Sequence, residues 1–220
     1  MPTMYKKLLQ LPLFQGLNKT DITDIIEKVT LHFQTIPANT LFVEQGSACV
    51  QLIFILEGSL IKKTENAKNN FSLEQEIGSP SLLEPQSLFG LNPTFQSSYT
   101  TATECSVMTI DKSFVLSELM NYPIFELNYL NILSSKYHNI YNVLWDQKQS
   151  NDLLSRFKYF IKTHTDTING PITLYATMED LAFLLNDTRL NVSKMLNSLS
   201  DQNIIFLRRK VIHIPVFNLL

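Results

Sequence analysis

The hydrophobic pattern of this chain changes its period once, near Ile110, and that change limits the folds open to it. Between His32 and Ile110, short β-branched and aromatic runs such as VQLIFILEG and CSVMTI alternate with turn residues, and GSPSLLEPQS (residues 78–87) is predicted to be a loop. Many short strands with frequent turns are typical of an antiparallel barrel or sandwich. After Ile110 the apolar residues follow helical spacing. The sequence therefore predicts an α+β fold.

Composition limits the environment of the chain. Apolar residues make up 45% of its 220 residues, enough for a sizeable core. No apolar run reaches the roughly 18 residues that cross a membrane, and the N-terminus lacks the apolar stretch of a signal peptide. Cys49 and Cys105 lie in apolar, strand-like surroundings. We therefore expect a cytoplasmic protein with reduced core thiols and no membrane association.

Charge is distributed unevenly along the chain. Residues 1–149 contain 10 Lys and Arg against 14 Asp and Glu, and residues 150–220 contain 8 against 6. The net charge of −2 argues against a generally basic nucleic-acid coat. This distribution permits an acidic N-terminal part joined to a mildly basic DNA-binding part, but it does not establish DNA binding.

A helix is predicted after Ile110, interrupted near Pro123. It carries a seam of apolar residues over about two heptads, namely Leu130, Leu133, Tyr137, Ile140 and Leu144. A helix packed on its own barrel and a pairing of this helix from two chains both fit that seam. Further apolar residues favour contacts on more than one side: Tyr129, Ile132, Tyr141 and Val143.

The segment TMEDLAFLLNDTRLNVSKMLNSL, residues 177–199, predicts two short helices and a tight turn. Thr177 and Asp180 form a variant of the capping box at the first helix. Asn186 tolerates a left-handed backbone, which suits the end of that helix, and Thr188 caps the second helix. The inward faces are predicted to carry Leu181, Leu184, Leu185, Val192, Met195, Leu196 and Leu199.

The second helix of this pair has an outer face made of Arg189, Leu190, Ser193, Lys194 and Asn197. Arg and Lys donate to guanine edges, and Ser and Asn contact bases or phosphates. Any amphipathic helix also exposes polar groups to water, so this face alone has two interpretations. The next segment, NIIFLRRKVIHIPV, predicts two strands around the basic turn RRK (208–210), which is either a phosphate-contacting wing or a solvated turn.

Together these motifs resemble the superfamily of bacterial transcription factors that contains the cyclic-AMP receptor protein and the fumarate–nitrate reduction regulator (Crp/Fnr). The segments LPLFQGL, EQGSACVQLIFILEGSLI, LFGL and ATECSVMTI are similar to its cyclic-nucleotide-binding barrel, and DLAFLLNDTRLNVSKMLNSLSDQNIIFLRRKVIHI is similar to its winged helix-turn-helix. The resemblance implies a jelly-roll antiparallel barrel at residues 1–112, a dimerisation helix at 113–148 and a winged helix-turn-helix at 149–220.

The resemblance also implies partners. A homodimer would place two recognition helices in successive major grooves of palindromic double-stranded DNA, and RNA polymerase is an expected partner. Arg189 and Lys194 match the two arginines of the family's recognition helix, whereas Leu190 replaces its Glu and would pack on a thymine methyl group. The expected DNA-contacting residues are Thr177, Thr188, Arg189, Leu190, Asn191, Ser193, Lys194, Asn197, Arg208, Arg209 and Lys210.

The sensor part departs from the family pattern. The phosphate-binding cassette of the family uses a Gly-Glu pair for the ribose and an Arg-Ser pair for the phosphate. Here Leu91 follows Gly90, Phe95 and Gln96 stand where Arg and Ser belong, and residues 85–103 contain no charged side chain. A cyclic phosphate would lack its charge-assisted partner, which argues against cyclic AMP and cyclic GMP as ligands.

No cofactor is identifiable from the sequence. A fumarate–nitrate-type iron–sulfur cluster needs four cysteines and the chain has two, while its scattered histidines point to no haem or metal site. Three hypotheses for the barrel stay open: an uncharged or apolar ligand, redox sensing through Cys49 or Cys105, or a scaffold without ligand. A ligand pocket would use Phe89, Gly90, Leu91, Phe95, Gln96, Ser97 and Ser98.

The sequence therefore predicts a sequence-specific DNA-binding regulator that is not an enzyme, because no nucleophile–base pair, metal cluster or glycine-rich phosphate loop is visible in it. The alternative hypothesis is a small-molecule-binding or protein-interaction module whose winged helix no longer reads DNA.

Overall fold

The computed structural model describes residues 4–145, 152–165 and 170–220. It combines helices with antiparallel sheets, so the predicted α+β fold class is confirmed. Contacts divide the chain into two compact units, each assembled from two segments. The first unit contains Met1–Ile61 and Ile77–Tyr137, and the second contains Lys62–Glu76 and His138–Leu220. The predicted boundary after residue 148 lies outside the described residues.

Strands dominate the N-terminal half of the chain, as predicted. They are β1 (His32–Ile36), β2 (Leu41–Val43), β3 (Gln51–Glu57), β4 (Ser59–Asn66), β5 (Phe71–Gly78), β6 (Ser81–Leu83), β7 (Ser98–Thr101) and β8 (Cys105–Asp111). In the first unit, β1, β8, β3 and β6 form an antiparallel sheet in that order, and β2 pairs with β7. β4 begins in the first unit and ends in the second.

The loop predicted at residues 78–87 is wrong in its central part, because β6 lies there. Leu82 pairs with Phe54 and Leu83 with Ile53 of β3, and Leu83 is buried. Three residues are too few for strand periodicity to show in the sequence, and the flanking proline and glycine obscured them.

The helices of the N-terminal part are α1 (Met4–Leu9), α2 (Lys19–Lys28), α3 (Lys112–Ser117) and α4 (Pro123–Trp145). Asn18 is the N-cap of α2, because its side chain accepts from the backbone N–H of Asp21. In the core of the first unit, the Phe14 ring contacts Phe54 and Phe125 at centroid distances of 5.7 and 5.5 Å. The Asn128 amide donates to the Gln15 carbonyl at 2.8 Å, which ties α4 to the N-terminal segment.

The second unit also contains the α-helices and β-strands that follow α4 in the sequence. They are α5 (Leu153–His164), β9 (Ile172–Tyr175), α6 (Met178–Leu184), α7 (Arg189–Asp201), β10 (Phe206–Arg208) and β11 (Val211–Ile214). The predicted inward faces of α6 and α7 are confirmed. Leu184 and Met195 are partly buried, and the others are fully buried: Leu181, Leu185, Val192, Leu196 and Leu199.

One strand pairing in the second unit was not predicted. β5 runs antiparallel to β9, with Leu73 opposite Leu174, and the sheet of this unit has the order β10–β11–β9–β5–β4. Phe71 and Leu73 of β5 are buried in the same core as Phe160 of α5. A hairpin from the first half of the sequence is therefore part of the C-terminal unit.

Within the described ranges, no helix has both the length and the apolar character that crossing a membrane requires.

Candidate nucleic-acid interface

The turn between α6 and α7 is fixed by hydrogen bonds that the Asp187 carboxylate accepts. Its Oδ1 accepts from the Thr188 backbone N–H at 2.7 Å and from the Asn191 side-chain amide at 2.8 Å, and its Oδ2 accepts from the Arg156 guanidinium of α5. These bonds hold the pKa of the Asp187 carboxyl below its usual range, and the bond from Asn191 has the largest effect. Asn186 has a φ of 49°, as the sequence predicted for this turn. The start of α7 is thus set in one orientation.

Thr188 is the N-cap of α7, as predicted, and its Oγ1 accepts from the Asn191 backbone N–H at 3.2 Å. The Asn191 side chain is already bonded to Asp187. Thr188 and Asn191 are therefore engaged in shaping the helix start. Their predicted contacts with DNA would have to coexist with these bonds.

The outer face of α7 carries cationic, polar and apolar side chains together. Arg189, Lys194 and Asn197 are exposed, and Ser193 is half-buried. Leu190 is 63% exposed although it is apolar, and it lies next to Arg189 on the first turn. An α-helix fits the major groove with its N-terminal residues towards base edges, so this face has the composition of a base-contacting surface.

Arg189 has an ion-pair partner within the helix pair. Its Nε lies 3.0 Å from Oε1 of Glu179 in α6, and both side chains are about two-thirds exposed, at 68% and 67%. Pairs at such exposure contribute little, because solvent screens them. The contact positions the guanidinium and is weak enough to be exchanged for a stronger partner. Sequence reasoning did not identify Glu179.

The start of α6 has the predicted cap. Thr177 Oγ1 accepts from the Asp180 backbone N–H at 3.0 Å and donates to the Asp180 carboxylate at 2.6 Å. The bond from Thr177 is the main reason that the pKa of the Asp180 carboxyl lies below its usual range. The amide of Asn70, from the hairpin of β4 and β5, donates to the other oxygen of Asp180 at 3.5 Å. The hydroxyl of Thr177, a predicted DNA-contacting residue, is therefore used in capping.

The basic turn RRK closes the hairpin of β10 and β11. Arg208 pairs with Val211, so Arg209 and Lys210 form a two-residue turn, and all three basic side chains are exposed. Lys210 has a φ of 61°, a left-handed backbone that glycine or asparagine adopts more readily. Placed this way, the three cations are available to phosphates.

The seven predicted pocket residues of the barrel differ in their exposure. Phe95 and Ser97 are buried and Phe89 and Ser98 are partly buried, whereas the other three are exposed: Gly90, Leu91 and Gln96. Ser98 lies at the start of β7, where its hydroxyl accepts from the Gln45 backbone N–H at 2.9 Å. The ligand pocket therefore stays a prediction.

One buried charged residue in this region was missed by the sequence analysis. Glu84 is only 3% exposed, and its carboxylate accepts hydrogen bonds from the Ser87 and Tyr99 hydroxyls and from the Gln96 backbone N–H. The one available signal was its position directly before a long stretch without charge.

No protein-family model matches the sequence, and no curated protein matches it significantly. Solved structures match its fold. The catabolite activator protein of Thermus thermophilus matches with a TM-score of 0.53 at 15% identity, over 94% of this chain and 95% of that one. A transcriptional regulator of Thermotoga maritima matches at 0.50 and 16%, over 59% and 98%. The sensor domain of the transcriptional regulator DNR of Pseudomonas aeruginosa matches at 0.50 and 12%, over 63% and 96%.

The chain has a Crp/Fnr-like fold. The Thermus match extends over both compact units, whereas the other two matches cover about three-fifths of the chain. The Thermotoga and Pseudomonas proteins are both transcriptional regulators.

In this Crp/Fnr-like fold, α4 contains the predicted pairing seam. Leu130, Tyr137 and Ile140 are exposed, while Leu133 is partly buried against the core of the first unit. The side chain of Leu144 lies outside the described residues. Leu127, which the sequence analysis did not include, is also exposed, one turn before Leu130. The exposed apolar surface of α4 therefore begins earlier than the predicted seam.

Both thiols of this Crp/Fnr-like fold are buried. Burial, assisted by the nearby Glu84 carboxylate, raises the pKa of Cys49 to about 11, and burial also raises the pKa of Cys105. Because the thiolate is the reactive form, the redox hypothesis gains no support from this geometry. Among the residues that the structure describes, no group of three or more His, Cys, Asp or Glu side chains could hold a metal ion.

Proposed function

We propose that this protein is a sequence-specific regulator of transcription that binds double-stranded DNA through α7. The observation that carries the proposal is the combination of a fixed helix start with an exposed outer face. Asp187, Thr188 and Asn191 hold the first turn, and Arg189 and Lys194 extend from the exposed side. A preset helix orders few side chains on binding, which favours specific recognition.

The two cations would make the base contacts. An arginine bonds guanine O6 and N7 in the major groove, which discriminates against a wrong base by about 1–3 kcal/mol. Binding would exchange the Glu179–Arg189 pair for such a contact, and that pair is weak because both partners are exposed. Leu190, which lies between Arg189 and Lys194 in the sequence and shares their outer face, would pack on a thymine methyl group.

The hairpin of β10 and β11 would act as the wing. Its cations, Arg208, Arg209 and Lys210, are exposed at one turn, and phosphate contacts of this kind set the register of a protein on DNA without specifying sequence. These contacts supply affinity that falls as salt rises.

Two chains would pair through α4. Leu127, Leu130 and Ile140 leave an apolar surface on this helix that a second copy would bury. A two-fold dimer presents two α7 helices and therefore selects a palindromic operator. RNA polymerase as a further partner and a cytoplasmic location belong to the same proposal.

The test is a titration of operator DNA with matched variants. Arg189→Ala and Lys194→Ala should each weaken binding to a selected operator by about 5–150-fold, which corresponds to the loss of one base contact. Lys162→Ala removes the same charge from an exposed position on α5 and should leave affinity nearly unchanged. If the α7 variants bind like Lys162→Ala, α7 is not the recognition helix. That result would favour the alternative of a module that no longer reads DNA.

A further inference from the structure

The carboxylate of Glu84 is held inside the first unit by neutral donors. Oε2 accepts from the Ser87 hydroxyl at 2.9 Å and from the Gln96 backbone N–H at 2.7 Å, and Oε1 accepts from the Tyr99 hydroxyl at 3.0 Å. Glu84, Ser87 and Tyr99 are all buried. One amide and two hydroxyls converge here as they would around a bound phosphate or carboxylate ligand.

The backbone at Glu84 is in a conformation that glycine adopts and other residues avoid. Its φ is 35° and its ψ is 57°, within the left-handed region. A residue with a β-carbon persists there only when its surroundings compensate for the strain. The three hydrogen bonds to the carboxylate are such a compensation, so the side chain and its unfavourable backbone belong to one arrangement.

One of the three donors, the Gln96 backbone N–H, belongs to a segment that binds the phosphate of the ligand in the Crp/Fnr family. Gln96 stands where the family has the Ser of its phosphate-binding pair, and its backbone N–H is occupied by Glu84. The preceding residue, Phe95, stands where the family has Arg, and it is buried. The site thus contains an anion supplied by the chain, and an uncharged phenylalanine stands where the family has its phosphate-binding arginine.

We propose that the Glu84 carboxylate occupies an anion-binding site of the barrel, here called the seat, which is formed by the donors of Ser87, Gln96 and Tyr99. By filling this site, Glu84 excludes phosphate- or carboxylate-bearing effectors. The carboxylate joins residue 84 to Ser87, Gln96 and Tyr99, and it holds this segment closed in the way that a ligand would. Glu84 is therefore the residue that determines the ligand specificity of the barrel. The inference concerns the barrel alone and does not depend on DNA binding.

The experiment removes the Glu84 carboxylate by mutation and tests whether small anions in solution bind in its place. Glu84→Gly removes the carboxylate and also relieves the left-handed backbone, whereas Glu84→Gln keeps the seat filled with a neutral group of the same shape. Each full-length protein is melted in increasing formate, acetate or inorganic phosphate, with chloride at matched ionic strength as the control. For Glu84→Gly we expect a saturable rise in melting temperature of about 3–6 °C at tenfold excess over the dissociation constant. Wild type and Glu84→Gln should not respond.

Two results would overturn the proposal. One is a Glu84→Gly variant that folds and responds to none of the three anions, which would make Glu84 a core residue without a ligand-like role. The other needs only the wild-type chain, and so holds even where the variant is insoluble. If calorimetry shows the wild type binding inorganic phosphate or cyclic AMP at micromolar concentration and Tyr99→Phe weakens that binding, the seat is open rather than filled.

Discussion

Replacement of Phe71 by alanine tests whether the hairpin at residues 62–76 stabilises the C-terminal unit. Phe71 lies in β5, but its buried ring packs edge-on against the Phe160 and His164 rings of α5, each at a centroid distance of 5.1 Å. Removing a buried phenyl ring costs about 3–5 kcal/mol, and we take the lower value because the Phe71 ring keeps 6% exposure to solvent. We therefore expect the second unit to lose about 3 kcal/mol of unfolding free energy.

Native-state hydrogen exchange measures this loss separately in each unit. In Phe71→Ala, amides of β9, α6 and α7 should exchange about 100-fold faster where exchange proceeds through opening of the second unit. Phe54→Ala is the matched control, because Phe54 is fully buried in the first unit against Phe14. It should accelerate exchange in β3 and β8 instead. If Phe71→Ala leaves β9 and α7 protected and exposes only first-unit amides, the assignment of the hairpin to the C-terminal unit is wrong.

Three further predictions concern the interface and its assembly. Arg208→Ala with Arg209→Ala should weaken DNA binding across sequences and flatten the slope of log affinity against log salt by about 2, and an unchanged slope would argue against a wing. Asn186→Gly should be as stable as wild type or more stable, because glycine adopts a φ of 49° without strain. Asn186→Ala should lose about 1 kcal/mol, because alanine lacks the short polar side chain that lets asparagine adopt this left-handed backbone; equal melting temperatures would contradict this. Leu127→Asp with Leu130→Asp should convert a dimer into a monomer by light scattering, and a wild-type monomer at micromolar concentration would refute pairing through α4.

Local sequence patterns were sufficient for the helix pair and its turn. Thr177, Asn186 and Thr188 act within a few residues of themselves, through caps and one left-handed position, so their roles can be predicted from the sequence nearby. The basic turn at residues 208–210 was also predicted from nearby residues, although Arg208 is the last residue of β10. The order of strands, long helix and helix pair follows from periodicity, which is also a local property.

Contacts between distant parts of the chain could not be predicted in this way. Leu73 pairs with Leu174, about a hundred residues further along, and nothing in either segment indicates the other. Glu84 shows the same limit, because a glutamate in an apolar segment looks like a surface residue until Ser87, Gln96 and Tyr99 converge on it.

Selection of bound sequences from random double-stranded DNA by the full-length protein tests the central claim most directly. The account predicts enrichment of two inverted half-sites whose centres lie about 10–10.5 base pairs apart or a multiple of that. It also predicts that the Arg189→Ala protein loses preference at one base pair of each half-site while binding random DNA as before. Failure of the wild-type protein to enrich any motif, or enrichment of the unchanged motif by the Arg189→Ala protein, would contradict it.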